Sequence, residues 1–225
     1  MNVAATYERG HVEFMGLDLL VSRGALVPRS ETELLARTAI DALARMGTSA
    51  PHVIDMCTGS GNLACAIAHH VPSATVWCSD VTEACVAATR RNVEHLGLED
   101  RVTVLQGDLF SSLAGRGLEG GIDLVVCNPP YISQKRLAGD RAELLSEEPR
   151  EAFDGGPYGL TIHQRVVREA LPFLREGGTL AFEIGLGQER QVEILFGRTR
   201  SYEDVRLIAT DAGEVRVVTG RKKAS

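Results

Sequence analysis

The chain has 225 residues, 44% of them hydrophobic and 24% charged, a composition typical of a globular protein that excludes disordered and fibrous classes. Its formal charge of -6 argues against broad contact with nucleic-acid phosphates, because that binding is driven by counterion release from Lys and Arg contacts. No apolar run approaches the length of a membrane span and MNVAATYERGH has no signal core, so no membrane association is expected and the expected location is the cytoplasm.

In chain order, residues 11–21 (HVEFMGLDLLV) alternate apolar and polar around a Gly and predict a short hairpin. After the loop SRGALVPR, Ser30 and Glu33 form an S-x-x-E capping box, and Leu35, Ala39, Ala42, Leu43 and Met46 make a stripe at helical spacing. A helix is therefore expected over 31–46. Strand and helix then alternate: strand 52–57, helix 62–70, strand 74–79, helix 82–97 with Gly97 as its stop, then strands 101–106 and 122–127. Residues 132–160 show no clear periodicity. A helix over 163–174, a strand over 179–184, a helix over 188–196 and strands 204–210 and 214–220 complete the chain. Such alternation predicts one main α/β domain, with a mostly parallel sheet covered on both faces and ligands bound beyond the carboxyl ends of its strands.

Cys57, Cys65, Cys78, Cys85 and Cys127 form no C-x-x-C pair and lie in apolar segments, so they are expected as core residues in a reducing compartment. His69 and His70 are adjacent and point to different helix faces, the wrong spacing for a shared metal. No metal site is expected.

The stretch DMCTGSGNLA, residues 55–64, is a Gly-rich turn between a strand and a helix, where missing Cβ atoms let backbone N–H groups approach a ligand. Cys57, Thr58, Gly59, Gly61 and Asn62 are its candidate cofactor contacts. Asp80 lies 21 residues past Gly59 at the next strand end, beside Val81, where a carboxylate accepts ribose hydroxyls. At the following strand end come Gly107, Asp108 and Leu109. Asp108 either accepts from an adenine amine with Leu109 against the ring, or closes an Asx turn. Asp55 either meets the cofactor's amino end or caps the loop. A nucleoside-containing cofactor follows, and on these features alone NAD and S-adenosylmethionine both remain.

VVCNPPY, residues 125–131, ends an apolar strand in Asn128, Pro129, Pro130 and Tyr131. Proline removes the N–H donor and keeps the preceding residue extended, so the Asn128 amide oxygen and the Pro129 carbonyl can point together into the crevice. That pair is a clamp for an NH2 group, with the flat ring of Tyr131 beside it. Hydride transfer has no use for such a clamp, whereas methylation of a planar amide or base amine does, and Asn128 would then also adjoin the cofactor. Loop 132–160, which follows at once, is expected to close over the acceptor with Gly155, Gly156 and Gly159 as flexible points.

VPRSETELLA, CTGSGNLACAIA, CNPPYI, EEPREAFDGGPYGL and FEIGLGQ together resemble the bacterial protein N5-glutamine methyltransferases that modify release factors, over nearly the whole chain from about residue 8. The resemblance implies a Rossmann-like, seven-stranded methyltransferase sheet with its last strand antiparallel, S-adenosylmethionine as donor and a glutamine side-chain amide as acceptor. It implies a protein or peptide partner such as a release factor. By position, Asn128 to Tyr131 hold the amide, Asp80 the ribose and Asp108 the adenine. Arg29, Glu31, Thr32, Tyr131 and Glu183 face the acceptor, unless Glu183 is merely a solvated strand-end carboxylate. Residues 1–30 are then an N-terminal hairpin and substrate-loop segment, and 31–225 the methyltransferase domain. Against the family pattern, Ser30 stands for a Pro, Cys57 for a Gly, and the chain is expected to lack the family's helical N-terminal domain. Other peptides, small amides or amines, and the amino groups of adenine or cytosine in nucleic acid are the alternative acceptors.

Overall fold

All six residues of the strand Ile122–Cys127 are buried, as a strand covered on both faces must be. The computed structural model describes residues 2–224 and places this strand at the centre of a seven-stranded sheet. In chain order the strands are β1 His11–Phe14, β2 Leu17–Leu20, β3 His52–Met56, β4 Thr75–Asp80, β5 Val102–Gln106, β6 Ile122–Cys127, β7 Leu174–Glu183, β8 Tyr202–Ala209 and β9 Val215–Lys222. β1 and β2 form a separate hairpin, and the main sheet runs β5-β4-β3-β6-β7-β9-β8. β9 pairs antiparallel with both β7 and β8, so the last strand is antiparallel, as the resemblance implies.

The helices are α1 Val3–Arg9, α2 Glu33–Met46, α3 Asn62–His70, α4 Glu83–His95, α5 Gln134–Ala138, α6 Thr161–Glu169 and α7 Glu189–Thr199. Alternation along the strands divides the core between the two faces. Val53, Leu124 and Val126 pack with α2, α3 and the hairpin residues Phe14, Leu17 and Leu19, while Ile54, Val125 and Cys127 pack with α6 and α7. Among the described residues no helix is long and apolar enough to cross a membrane.

Several local expectations differ. α1 lies where none was expected; Asn2 caps it by accepting from the Ala5 N–H and Gly10 ends it in the left-handed region. The capping box does not form. Ser30 opens a 3-10 turn, Ser30–Thr32, with no side-chain cap bond, and Glu33 instead accepts from the Met15 N–H at 3.1 Å and pairs with Arg37. A tertiary partner has taken the carboxylate that a local cap would use. The helix expected over 163–174 stops at Glu169, just before Pro172, which cannot donate to a continuing helix, and β7 starts at Leu174; inside β7, Gly177 at φ +75° and Gly178 carry the chain through an irregularity beside β6. A Cβ on Gly178 would lie 2.8 Å from the Ile122 carbonyl oxygen. Residues 132–160 hold α5 and short 3-10 turns at Ala142–Ser146 and Arg150–Ala152.

Candidate active site

From β3 the chain winds outward through β4 and β5, then returns to lay β6 on the other side of β3. The crevice at this reversal opens beyond Met56 and Cys127, which are paired across the strands. The turns after β3, β4, β5 and β6 therefore converge on one edge.

The turn after β3 is held in a conformation that few residues tolerate. Cys57, Gly59 and Gly61 have φ of 57°, 60° and 81°. At Gly61 a Cβ would lie 2.7 Å from Thr89 Cγ2, so only glycine permits this approach to α4. Cys57 adopts a left-handed conformation in which glycine would be unstrained. Asp55 is fully buried and holds the turn from beneath, its Oδ2 accepting from the Thr58 hydroxyl at 2.6 Å and the Ala64 N–H at 3.1 Å. Its Oδ1 is buried without a partner, and burial pushes the carboxyl up to about 7 against the pull of these two hydrogen bonds. Asp55 does not line the cavity above it.

That cavity has a volume of about 300 Å³ and is lined by Cys57, Thr58, Gly59 and Asn62, with Asp80, Val81, Gly107, Asp108 and Leu109 from the next two strand ends. Asp80 Oδ2 accepts from the Gly59 N–H at 3.0 Å, and Oδ1 from the Thr82 N–H at 3.1 Å, so the carboxylate is locked at the end of β4. Asp108 is no Asx turn alone: both its oxygens accept from Arg165 Nη1, at 2.8 and 3.0 Å, a partner from α6 that the sequence reading missed. A fixed carboxylate for hydroxyls, apolar walls at Val81, Leu109 and Ile162, and a second carboxylate at Asp108 are a set of acceptors and apolar surface that suits a nucleoside.

Asn128 lines this cavity and also a second one, of about 320 Å³, on the far side of the strand end. Its Nδ2 donates to Thr32 Oγ1 at 3.2 Å. Pro129, Tyr131, Arg29, Glu31 and Glu183 line the second cavity, as does Arg216, also missed at the sequence level. Tyr131 donates its hydroxyl to Glu183 Oε1 at 3.0 Å, and Arg216 Nη2 donates to the Tyr131 hydroxyl at 3.1 Å and to Glu183 at 3.3 Å. Glu183 is 1% exposed, buried rather than solvated. Burial raises its pKa, opposed by Thr32, Arg216 and Tyr131. Alternation along β9 could have flagged Arg216, which sits among apolar neighbours on a strand.

The glycines of DGGPYG are close-packing points in this structure. Gly155 donates to the Ile132 carbonyl at 2.9 Å, and a Cβ on it would lie 2.8 Å from the Pro130 carbonyl oxygen. A Cβ on Gly159, at φ +73°, would collide with the Tyr131 carbonyl, to which Gln188 donates at 3.0 Å. Segment 153–159 thus wraps the NPPY backbone instead of offering free joints. At its far end Glu148, 5% exposed, pairs with Arg29 and accepts from the Val27 N–H at 3.0 Å, joining EEP to VPRSETE.

Against known proteins, residues 31–157 match the methyltransferase small domain family. The release factor glutamine methyltransferase of Moorella thermoacetica is 39% identical over 211 residues, covering 93% of this chain and 72% of that protein. A 4-amino-L-phenylalanine/4-methylamino-L-phenylalanine methyltransferase of Streptomyces pristinaespiralis is 38% identical over 193 residues, covering 84% of this chain and 64% of that protein. Among solved structures, the release factor-specific protein-(glutamine-N5) methyltransferase of Alicyclobacillus acidocaldarius superposes with a TM-score of 0.55 at 27% identity, covering 91% of this chain and 99% of that one.

Proposed function

The chain belongs to the family of release factor glutamine methyltransferases, which use S-adenosylmethionine, and from that premise we propose that it methylates the side-chain amide nitrogen of a glutamine in a peptide chain release factor. The observation that carries this reading is that Asn128 stands on the wall shared by the two cavities, its NH2 already engaged by Thr32.

Bound S-adenosylmethionine supplies an electrophilic methyl group on a sulfonium centre. In the first cavity Asp80 would accept from its ribose hydroxyls and Asp108 from its adenine amine, with Val81, Leu109 and Ile162 as apolar walls for the ring. Asp55 keeps the glycine turn in shape from below. The second cavity receives the acceptor between Tyr131 and the 3-10 turn carrying Thr32. An amide nitrogen is a poor nucleophile because its lone pair is delocalised. Asn128 Oδ1 and the Pro129 carbonyl accept its two N–H bonds, raise electron density on nitrogen and hold it in line, which contributes about 7 to 11 kcal/mol when the geometry is near attack. No strong base precedes transfer, since the proton becomes acidic only as positive charge develops.

Incubation with methyl-labelled S-adenosylmethionine and purified release factor, followed by mass mapping, tests the reading. Label on a glutamine amide nitrogen is expected; label on carboxyl oxygen or carbon, or none, overturns it. A small aromatic amine is the second reading, favoured by the Streptomyces relative, and 4-amino-L-phenylalanine as sole acceptor decides between them. With a net charge of -6 we expect no stable nucleic-acid binding, checked by a low-salt gel shift, and we assign the enzyme to the cytoplasm, which suits five free cysteines.

A further inference from the structure

We propose that Thr32 is a positioning residue that decides which way the Asn128 carboxamide faces, and so whether the clamp can accept an NH2 at all. The proposal rests on the amide-methylating reading above. A carboxamide is nearly symmetric in shape, and a half-turn exchanges an acceptor for two donors. With Oδ1 toward the crevice, Asn128 accepts from the incoming amide. With Nδ2 there instead, donor would meet donor and the acceptor would be repelled.

What holds Nδ2 away is its hydrogen bond to Thr32 Oγ1, at 3.2 Å. Thr32 is 1% exposed, and its turn is closed by its own N–H donating to the Arg29 carbonyl at 3.1 Å. Arg29 in turn is paired with buried Glu148. The turn is therefore a rigid support. A threonine hydroxyl oxygen carries lone pairs that accept from Nδ2. Glu183, whose Oε1 takes Tyr131 and Arg216, anchors the tyrosine of the same motif.

The test compares Thr32→Val with Thr32→Ser. Thr32→Val is expected to lower kcat on release factor about 100-fold, the effect of a misplaced clamp, with donor Kd within about twofold of wild type. Thr32→Ser keeps the hydroxyl and should restore most of kcat. A second readout needs no acceptor: the Asn128 side-chain NH2 signals of the 15N-labelled, donor-bound protein, assigned against Asn128→Ala. Slow exchange with solvent is expected in wild type and Thr32→Ser, and fast exchange in Thr32→Val. Wild-type kcat in Thr32→Val, equal loss in Val and Ser, or unchanged NH2 exchange overturns the proposal. Absence of wild-type turnover on release factor would instead fail the acceptor reading, and the NH2 signals would still decide the positioning.

Discussion

Glu148→Ala removes the tie between the segment after β6 and the turn that carries Thr32. In the folded protein Glu148 Oε1 accepts from the buried Val27 N–H at 3.0 Å while Oε2 pairs with Arg29, and the two side chains are 2% and 17% exposed. Deleting one partner of a buried ion pair costs about 3 to 5 kcal/mol. Within that sum, the stranded Val27 N–H accounts for about 1 to 3 kcal/mol. Glu148→Gln separates the parts, because its amide oxygen can still accept from Val27 while its NH2 faces the donors of Arg29. Urea denaturation of the three proteins is the assay, with a fall of about 3 kcal/mol or more for Ala and a smaller one for Gln. Near the melting point each kcal/mol corresponds to about 2 to 4 °C for a domain of this size, so Ala should melt roughly 6 to 12 °C lower. Limited proteolysis within 132–160 should accelerate in parallel. If Glu148→Ala leaves both the denaturation midpoint and the proteolysis unchanged, the ion pair is not what holds that segment.

Asn128→Ala should lower turnover about 100- to 1,000-fold with donor affinity nearly unchanged, measured by steady-state kinetics beside calorimetry; equal loss of both would make Asn128 scaffold. Asp80→Ala removes the acceptor for the Gly59 and Thr82 N–H groups and for the ribose hydroxyls that we propose it binds, and should weaken donor binding by about 1.5 to 3 kcal/mol per charged hydrogen bond lost, read by calorimetry. Gly159→Ala forces a Cβ into the left-handed region against the Tyr131 carbonyl and should cost at least about 1 to 2 kcal/mol, seen as a lower melting temperature. Asp55 has its folded pKa raised by burial from 3.8 to about 7, so the folded state holds a proton that the unfolded chain releases. Its contribution to stability is complete below about pH 4 and is lost as pH rises through about 7. Relative to Asp55→Asn, the wild type should therefore lose up to about 1.4 kcal/mol per pH unit across that window, and parallel pH profiles for the two proteins would refute it.

The alternating apolar runs, the glycine turn at 57–61 and the proline pair after β6 are local signals, because side-chain period and backbone dihedral preference are properties of short stretches. They suffice to read the mostly parallel sheet and the strand edge at which ligands are expected, whereas the antiparallel last strand is what the family resemblance implies. Boundaries slipped where a distant partner outbid a local preference, as when Glu33 left its capping role for the Met15 N–H. The partners of polar side chains were decided only in three dimensions. Thr32 reaches Asn128 across 96 residues, Arg165 reaches Asp108 across 57, and Arg216 reaches Tyr131 across 85. No periodicity encodes these meetings, because a buried polar group must find whichever donor or acceptor the packed strands bring beside it.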